Sequence, residues 1–252
     1  MKSKQKILEI KNLSFNYSKN LKIFNDINLD IKKGEMVAII GSSGVGKSTL
    51  FKLLVKSILP QSGIISLFGS NINEIKPKEW KKIIDKIGFL TQKPNLIISD
   101  SVFMNVKRSI TQYKNNFYKL FSLITNEQKI NIFKQLDDLN ILSKAFYRVS
   151  DLSGGQQQRV EIVKLLVKNS ELILADEPTS NLDRQTSQDV LDILKQLKKE
   201  KQLTILVNIH DLSFLKTHFD RVIGIKDNSI QLNKLTKDIK EWEIEKIIQK
   251  NK

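Results

Sequence analysis

The chain has no cysteine at any of its 252 positions. Disulfides and thiolate metal sites are therefore excluded, and a reducing compartment is the expected setting. Long apolar runs are missing too. The stretch 36–40 is typical, and nothing approaches the roughly 20 apolar residues that a membrane-spanning helix needs. If the chain serves transport, another polypeptide must supply the path through the bilayer. Residues 1–5 are polar and basic with no apolar stretch after them, so no secretory leader is expected. No internal repeat or low-complexity linker divides the sequence, and a single domain spanning 1–252 is expected.

Acidic residues are few: 27 Asp and Glu against 42 Lys and Arg leave a formal charge of +15. Such an excess points to nucleic acid, to an anionic membrane surface, or to a lysine-rich solvated surface. It is spread along the chain and dominated by Lys, with Ile and Asn also abundant, as the codon usage of an AT-rich genome would produce. The solvated surface is the reading taken, and no nucleic acid partner is expected. Hydrophobic residues at 40% and charged residues at 27% are ordinary for a globular domain.

Alternating apolar residues over 7–10, 13–17 and 27–31 predict short antiparallel strands. The continuous apolar run 36–40 predicts a strand buried on both faces. A glycine loop over 41–47 and a helix over 48–58 follow. Residues 95–158 carry few strand signals. Within them Thr125 and Gln128 form a capping box, with Ile130, Phe133 and Leu136 at helical spacing behind it. Buried strands resume at 172–175 and 204–208, and final strands are expected at 220–225 and 229–232. In the tail, Leu235, Ile239 and Trp242 predict a helix packed on the core. The expected fold is α/β: a nucleotide-binding core with an antiparallel β subdomain (1–94 and 159–232), an inserted helical subdomain (95–158) and a helical tail (233–252).

Gly41, Ser42, Ser43, Gly44, Val45, Gly46, Lys47 and Ser48 fit G-x-x-x-x-G-K-[ST] between a strand and a helix, with Thr49 next. Glycines let backbone N–H groups turn onto phosphate oxygens, and the helix N-terminus adds positive potential there. Lys47 is expected to reach the β- and γ-phosphates and Ser48 to ligate Mg²⁺. The apolar strand 172–175 ends in Asp176 and Glu177. Adjacent strand residues face opposite ways, so Asp176 is assigned to Mg²⁺ and Glu177 to the attacking water as general base.

Leu152, Ser153, Gly154, Gly155 and Gln156 spell LSGGQ, followed by Gln157, Gln158 and Arg159. A Ser and two Gly at a helix start make a second phosphate cradle. With this segment the sequence resembles, over nearly its whole length, the ATP-binding cassettes of ABC transporters, and the fold implied is a P-loop NTPase of the RecA-like kind. The resemblance implies ATP and Mg²⁺ as cofactors, and a dimer of cassettes in which one chain's signature closes on the γ-phosphate held by the other. It also implies that Tyr17, 24 residues before Gly41, stacks on adenine. Gln92 would touch Mg²⁺ and report to the membrane subunit, Asp183 would lie in the loop crossing the dimer seam, and His210 would contact the γ-phosphate. The helix after the signature departs from the family's Ala-Arg-Ala-Leu with Lys164, Leu165 and Leu166, read as core packing of little functional consequence.

Asn95, Leu96, Ile97, Ser101, Val102, Asn105 and Val106, with the runs 144–148, 207–211 and 220–225, are similar to the cassettes of phosphonate-type importers. They are also similar to the ATP-binding subunit of the high-affinity transport system of wall-less bacteria. That likeness implies two permease subunits, an extracellular substrate-binding lipoprotein and a place on the cytoplasmic side of the membrane. The solute would be a phosphonate, phosphate or phosphorylated cofactor. An exporter or lipoprotein-release ATPase would share every ATP residue. A soluble ATPase acting on nucleic acid or ribosomes fits less well, because a single cassette is present. Glu177 and His210 speak against a non-hydrolysing module.

Overall fold

The strand β3 (Met36–Ile40) is fully buried, and its side chains alternate between two cores. Met36, Ala38 and Ile40 face one cluster; Val37 and Ile39 face the other. A strand covered on both faces has no polar side, which explains the unbroken apolar run. The computed structural model describes residues 5–18 and 21–249.

Before β3 come β1 (Lys6–Ser18) and β2 (Leu21–Lys32). After it follow α1 (Lys47–Leu54), β4 (Ser62–Leu67), β5 (Ser70–Asn71), α2 (Pro77–Ile84) and β6 (Ile87–Leu90). The order then runs α3 (Val102–Lys107), α4 (Asn116–Leu120), α5 (Asn126–Asp138), α6 (Gly154–Val167), β7 (Leu172–Asp176), α7 (Arg184–Lys201) and β8 (Thr204–Asn208). The last elements are α8 (Leu215–His218), β9 (Arg221–Lys226), β10 (Ser229–Leu235) and α9 (Glu241–Ile248). The main sheet has the order β10-β9-β3-β8-β7-β6, parallel except for the antiparallel edge strand β10. A second, antiparallel sheet has the order β2-β1-β4-β5. The expected α/β layering is present. Residues 95–158 add no strand to either sheet, and α6 runs through position 158 without a break.

Several elements differ from the sequence expectations. The runs 7–10 and 13–17 form the single strand β1, carried past a register shift by Asn12 in the left-handed conformation. The helix α1 stops at Leu54, four residues before the expected end. Lys56 adopts a φ of 54°, and its N–H and that of Ser57 donate to the carbonyls of Leu53 and Lys52, the hydrogen-bond pattern of a Schellman cap. In α5 the capping box of Thr125 and Gln128 forms as expected. Its buried face, however, is Ile132, Gln135 and Leu136, while Ile130 is exposed. Of the residues expected on a tail helix, Leu235 instead ends β10, and Ile239 is buried ahead of α9, which docks through Ile247 and Ile244 rather than the exposed Trp242. Gly224 makes this docking possible: a Cβ there would stand 2.8 Å from Ile247 Cγ1.

Candidate functional site

The loop from Gly41 leads off the C-terminal end of β3 and delivers Lys47 to the start of α1. Gly46 closes the turn at a φ of 112°, and a Cβ there would meet Ile23 Cγ2 at 2.5 Å. No other residue fits this position. Lys47 is buried and crosses the loop, donating to the carbonyls of Gly41 at 2.7 Å and Ser42 at 3.1 Å. Burial lowers its pKa, and the carboxylates of Glu177 and Asp176 oppose that shift.

The ends of three neighbouring strands meet beside it. Asp176 closes β7 and pairs in register with Asn208 at the end of β8. Asp176 Oδ1 accepts hydrogen bonds from Ser48 Oγ at 3.1 Å and Asn208 Nδ2 at 2.6 Å. Glu177 follows in the left-handed conformation, φ 53°, with its N–H donating to the Asn208 carbonyl at 3.1 Å. That strained turn aims its carboxylate at His210, whose Nε2 lies 2.6 Å from Glu177 Oε1. Tyr17 stands at the rim, half exposed, its hydroxyl 3.4 Å from Thr49 Oγ1 and its ring edge-on to Phe15 at 4.9 Å. One cleft of about 320 Å³ is lined by Tyr17, Ser43, Lys47, Ser48, Glu177, Asn208 and His210.

The remaining expected residues stand elsewhere. Ser153 caps α6 through a capping box with Gln156, Ser153 Oγ accepting from Gln156 N–H at 3.3 Å. Gly154 and Gly155 lie against α7 and the loop before it. A Cβ on Gly155 would sit 2.4 Å from Thr186 Cγ2, and one on Gly154 would sit 3.0 Å from Leu182 Cδ2. Asp183 caps α7, accepting from Thr186 Oγ1 at 2.6 Å and Thr186 N–H at 2.9 Å, which lowers its pKa. Gln92 is exposed in the loop after β6. None of Gln92, Ser153, Gly154, Gly155, Gln156 and Asp183 lines the cleft of its own chain.

Sequence reasoning missed Asn208. Its signal was a polar residue ending a fully buried apolar strand next to Asp176. The Asn208 side-chain oxygen is buried with no hydrogen-bond partner among the described residues. Those residues hold no cluster of three or more His, Cys, Asp or Glu that could bind a metal alone. The donor set Ser48 and Asp176 fits Mg²⁺ instead, an ion that takes one or two protein oxygens and completes its shell with phosphate and water.

The family described as ABC transporter matches residues 24–180. The chain belongs to that family. The cassette is 37% identical to "Probable ABC transporter ATP-binding protein p29" of Mesomycoplasma hyorhinis, over 95% of each chain. It is 38% identical to "Phosphonates import ATP-binding protein PhnC" of Lactobacillus johnsonii, over 89% of this chain and 88% of the relative. Among solved structures it is similar to "Dimeric Structure of MJ0796, a Bacterial ABC Transporter Cassette", with a TM-score of 0.78, 30% identity and coverage of 92% and 100%. The cassette is thus an ATP-binding, ATP-hydrolysing subunit of an ABC transporter on a P-loop NTPase fold. Among the described residues no helix is long and apolar enough to cross a membrane.

Proposed function

We propose that this cassette powers import of a phosphonate or related phosphorylated solute, binding ATP with Mg²⁺ in the cleft between Tyr17 and His210. The observation that carries the catalytic reading is the convergence of Lys47, Ser48, Glu177 and His210 from three strand ends on that cleft, with Asp176 hydrogen-bonded to Ser48. Tyr17 stacks on the adenine. The loop N–H groups and Lys47 hold the β- and γ-phosphates, which displace the two loop carbonyls that Lys47 now contacts. Ser48 and Asp176 hold Mg²⁺, which supplies charge neutralisation at the phosphates. Asn208 fixes the Asp176 carboxylate. Glu177 takes a proton from the attacking water, and His210 orients Glu177 and meets the γ-phosphate.

The signature residues Ser153, Gly154, Gly155 and Gln156 lie outside the cleft of their own chain, and the cassette shares its fold with a dimeric one. Both facts support a dimer in which each signature, flanked by Asp183, completes the partner's site. The importer reading rests on likeness to phosphonate import subunits across nearly nine-tenths of the chain. It requires two permease subunits, an extracellular binding lipoprotein and attachment on the cytoplasmic face. The test is to purify the assembly, place it in proteoliposomes and measure ATP turnover with binding protein and an alkylphosphonate outside. Stimulation and inward movement of the phosphonate are expected. Outward movement, or indifference to the binding protein, contradicts import.

A further inference from the structure

The face of α6 that follows the signature carries three polar side chains three residues apart: Gln158, Glu161 and Lys164. All three reach into the loop that carries Gln92. Gln158 Nε2 donates to the Thr91 carbonyl at 3.3 Å and to the Pro178 carbonyl at 3.0 Å. Glu161 Oε1 accepts the Asn95 N–H at 2.9 Å, and Lys164 Nζ donates to the Asn95 carbonyl at 2.6 Å. Asn95 is thus gripped at both of its backbone polar groups by two side chains one helical turn apart. Gln92 lies between the two anchored residues, Thr91 and Asn95.

Glu161 is 2% exposed, and its second oxygen has no partner among the described residues. Burial pushes its pKa up to about 7, with the Lys164 amine, 3.9 Å away, opposing the shift. A buried carboxylate with one idle oxygen costs stability, and an apolar residue would pack at this position more favourably. What the side chain does there is accept the Asn95 N–H, which an apolar residue could not. The reading of this stretch as core packing is therefore incomplete.

We propose that Glu161 and Lys164 are positioning residues that fasten the Gln92 loop to the signature helix, so that movement of the signature onto nucleotide and placement of Gln92 occur as one step. The proposal rests on the assignment of Gln92 to the Mg²⁺ site. Neither Glu161 nor Lys164 lines the nucleotide cleft, so neither acts on ATP directly. The consequence is a split in kinetic constants. Loosening the grip lowers kcat, because Gln92 reaches its place less often, and leaves KM for ATP nearly unchanged.

The test uses the full chain and five forms: wild type, Lys164→Met, Lys164→Arg, Gln92→Ala, and Gln92→Ala combined with Lys164→Met. Two quantities are read on each: amide hydrogen exchange over residues 91–98, and steady-state ATP turnover with Mg²⁺. Lys164→Met is expected to speed exchange and lower kcat, each about tenfold, with KM changed less than twofold. Lys164→Arg keeps a donor and is expected to recover most of both. With Gln92 already removed, Lys164→Met is expected to cost less than twofold further. Wild-type exchange and kcat in Lys164→Met overturn the proposal, as does a full additional loss in the Gln92→Ala background. Wild-type turnover in Gln92→Ala alone, with exchange still faster in Lys164→Met, overturns the Gln92 assignment and the coupling built on it while leaving the grip itself intact. If Lys164→Met does not fold, Glu161→Ala removes the other half of the grip and is held to the same outcomes.

Discussion

His210 Nε2 lies 2.6 Å from Glu177 Oε1, although the two residues leave different strands of the main sheet. The contact joins the end of β7 to the end of β8 beside the phosphate loop. It gives Glu177 a fixed direction that an exposed glutamate at a strand end would lack.

Replacing Glu177 with Gln keeps the shape and removes the base. Turnover is expected to fall about 10²- to 10⁴-fold while ATP affinity stays near wild type. His210→Ala is expected to lower kcat with little effect on binding by the isolated chain, because Tyr17, Lys47 and the loop remain. Steady-state ATP turnover and equilibrium nucleotide titration check both. Wild-type turnover in Glu177→Gln would remove the base assignment.

Stability measurements separate the docking of the tail helix from its sequence pattern. Ile247 is 3% exposed and meets Gly224, whereas Trp242 is 58% exposed. Ile247→Ala is expected to cost about 2–4 kcal/mol and Trp242→Ala less than about 0.5 kcal/mol. Urea midpoints of the two variants give the comparison. Equal midpoints would show that α9 is not docked through Ile247.

Glu161 predicts a pH dependence. Its folded pKa, about 7, lies above the ordinary 4.5, so folding favours the protonated form. Its contribution to stability is therefore greatest below pH 4.5 and declines as pH rises toward 7, since the unfolded chain releases the proton first. Glu161→Gln keeps an acceptor for the Asn95 N–H and removes the titration. Thermal midpoints of wild type and variant are expected to agree near pH 4.5. At pH 8 the Gln variant should be the more stable, by at most about 3 kcal/mol. A difference that does not change between these pH values would contradict the assigned burial.

Much of the site was legible because its chemistry sits in short contiguous segments. The phosphate loop, the acids after 172–175 and the signature each carry their spacing in consecutive residues. What was not legible depends on contacts made at long range or on rare backbone states. No propensity marks Lys56 as the left-handed residue that ends α1. Ile130 has helical spacing to Phe133, but which face of α5 is covered is decided by α3 and α6, distant in sequence. The grip on Asn95 spans 66 and 69 residues and leaves no local pattern. Asn208 acquires its meaning only when β8 lies beside β7.

Mixed dimers test directly whether one chain's signature completes the site built on the other chain's Lys47. Gly154 is the position to alter: a Cβ there stands 3.0 Å from one flexible leucine methyl, and an acid suits a helix start, so Gly154→Asp is compatible with folding. Gly155 is unsuitable, because a Cβ there would collide with Thr186. One subunit carries Gly154→Asp, the other Lys47→Ala, and both carry Glu177→Gln so that bound ATP is held. One composite site then has both lesions and the other has neither. The measurement is ATP trapped per dimer after removal of free nucleotide. Each altered homodimer is expected to trap almost none, while the mixture traps one ATP per mixed dimer. No trapping in the mixture above either homodimer would mean that each chain builds its site alone, and would contradict a site shared across the dimer.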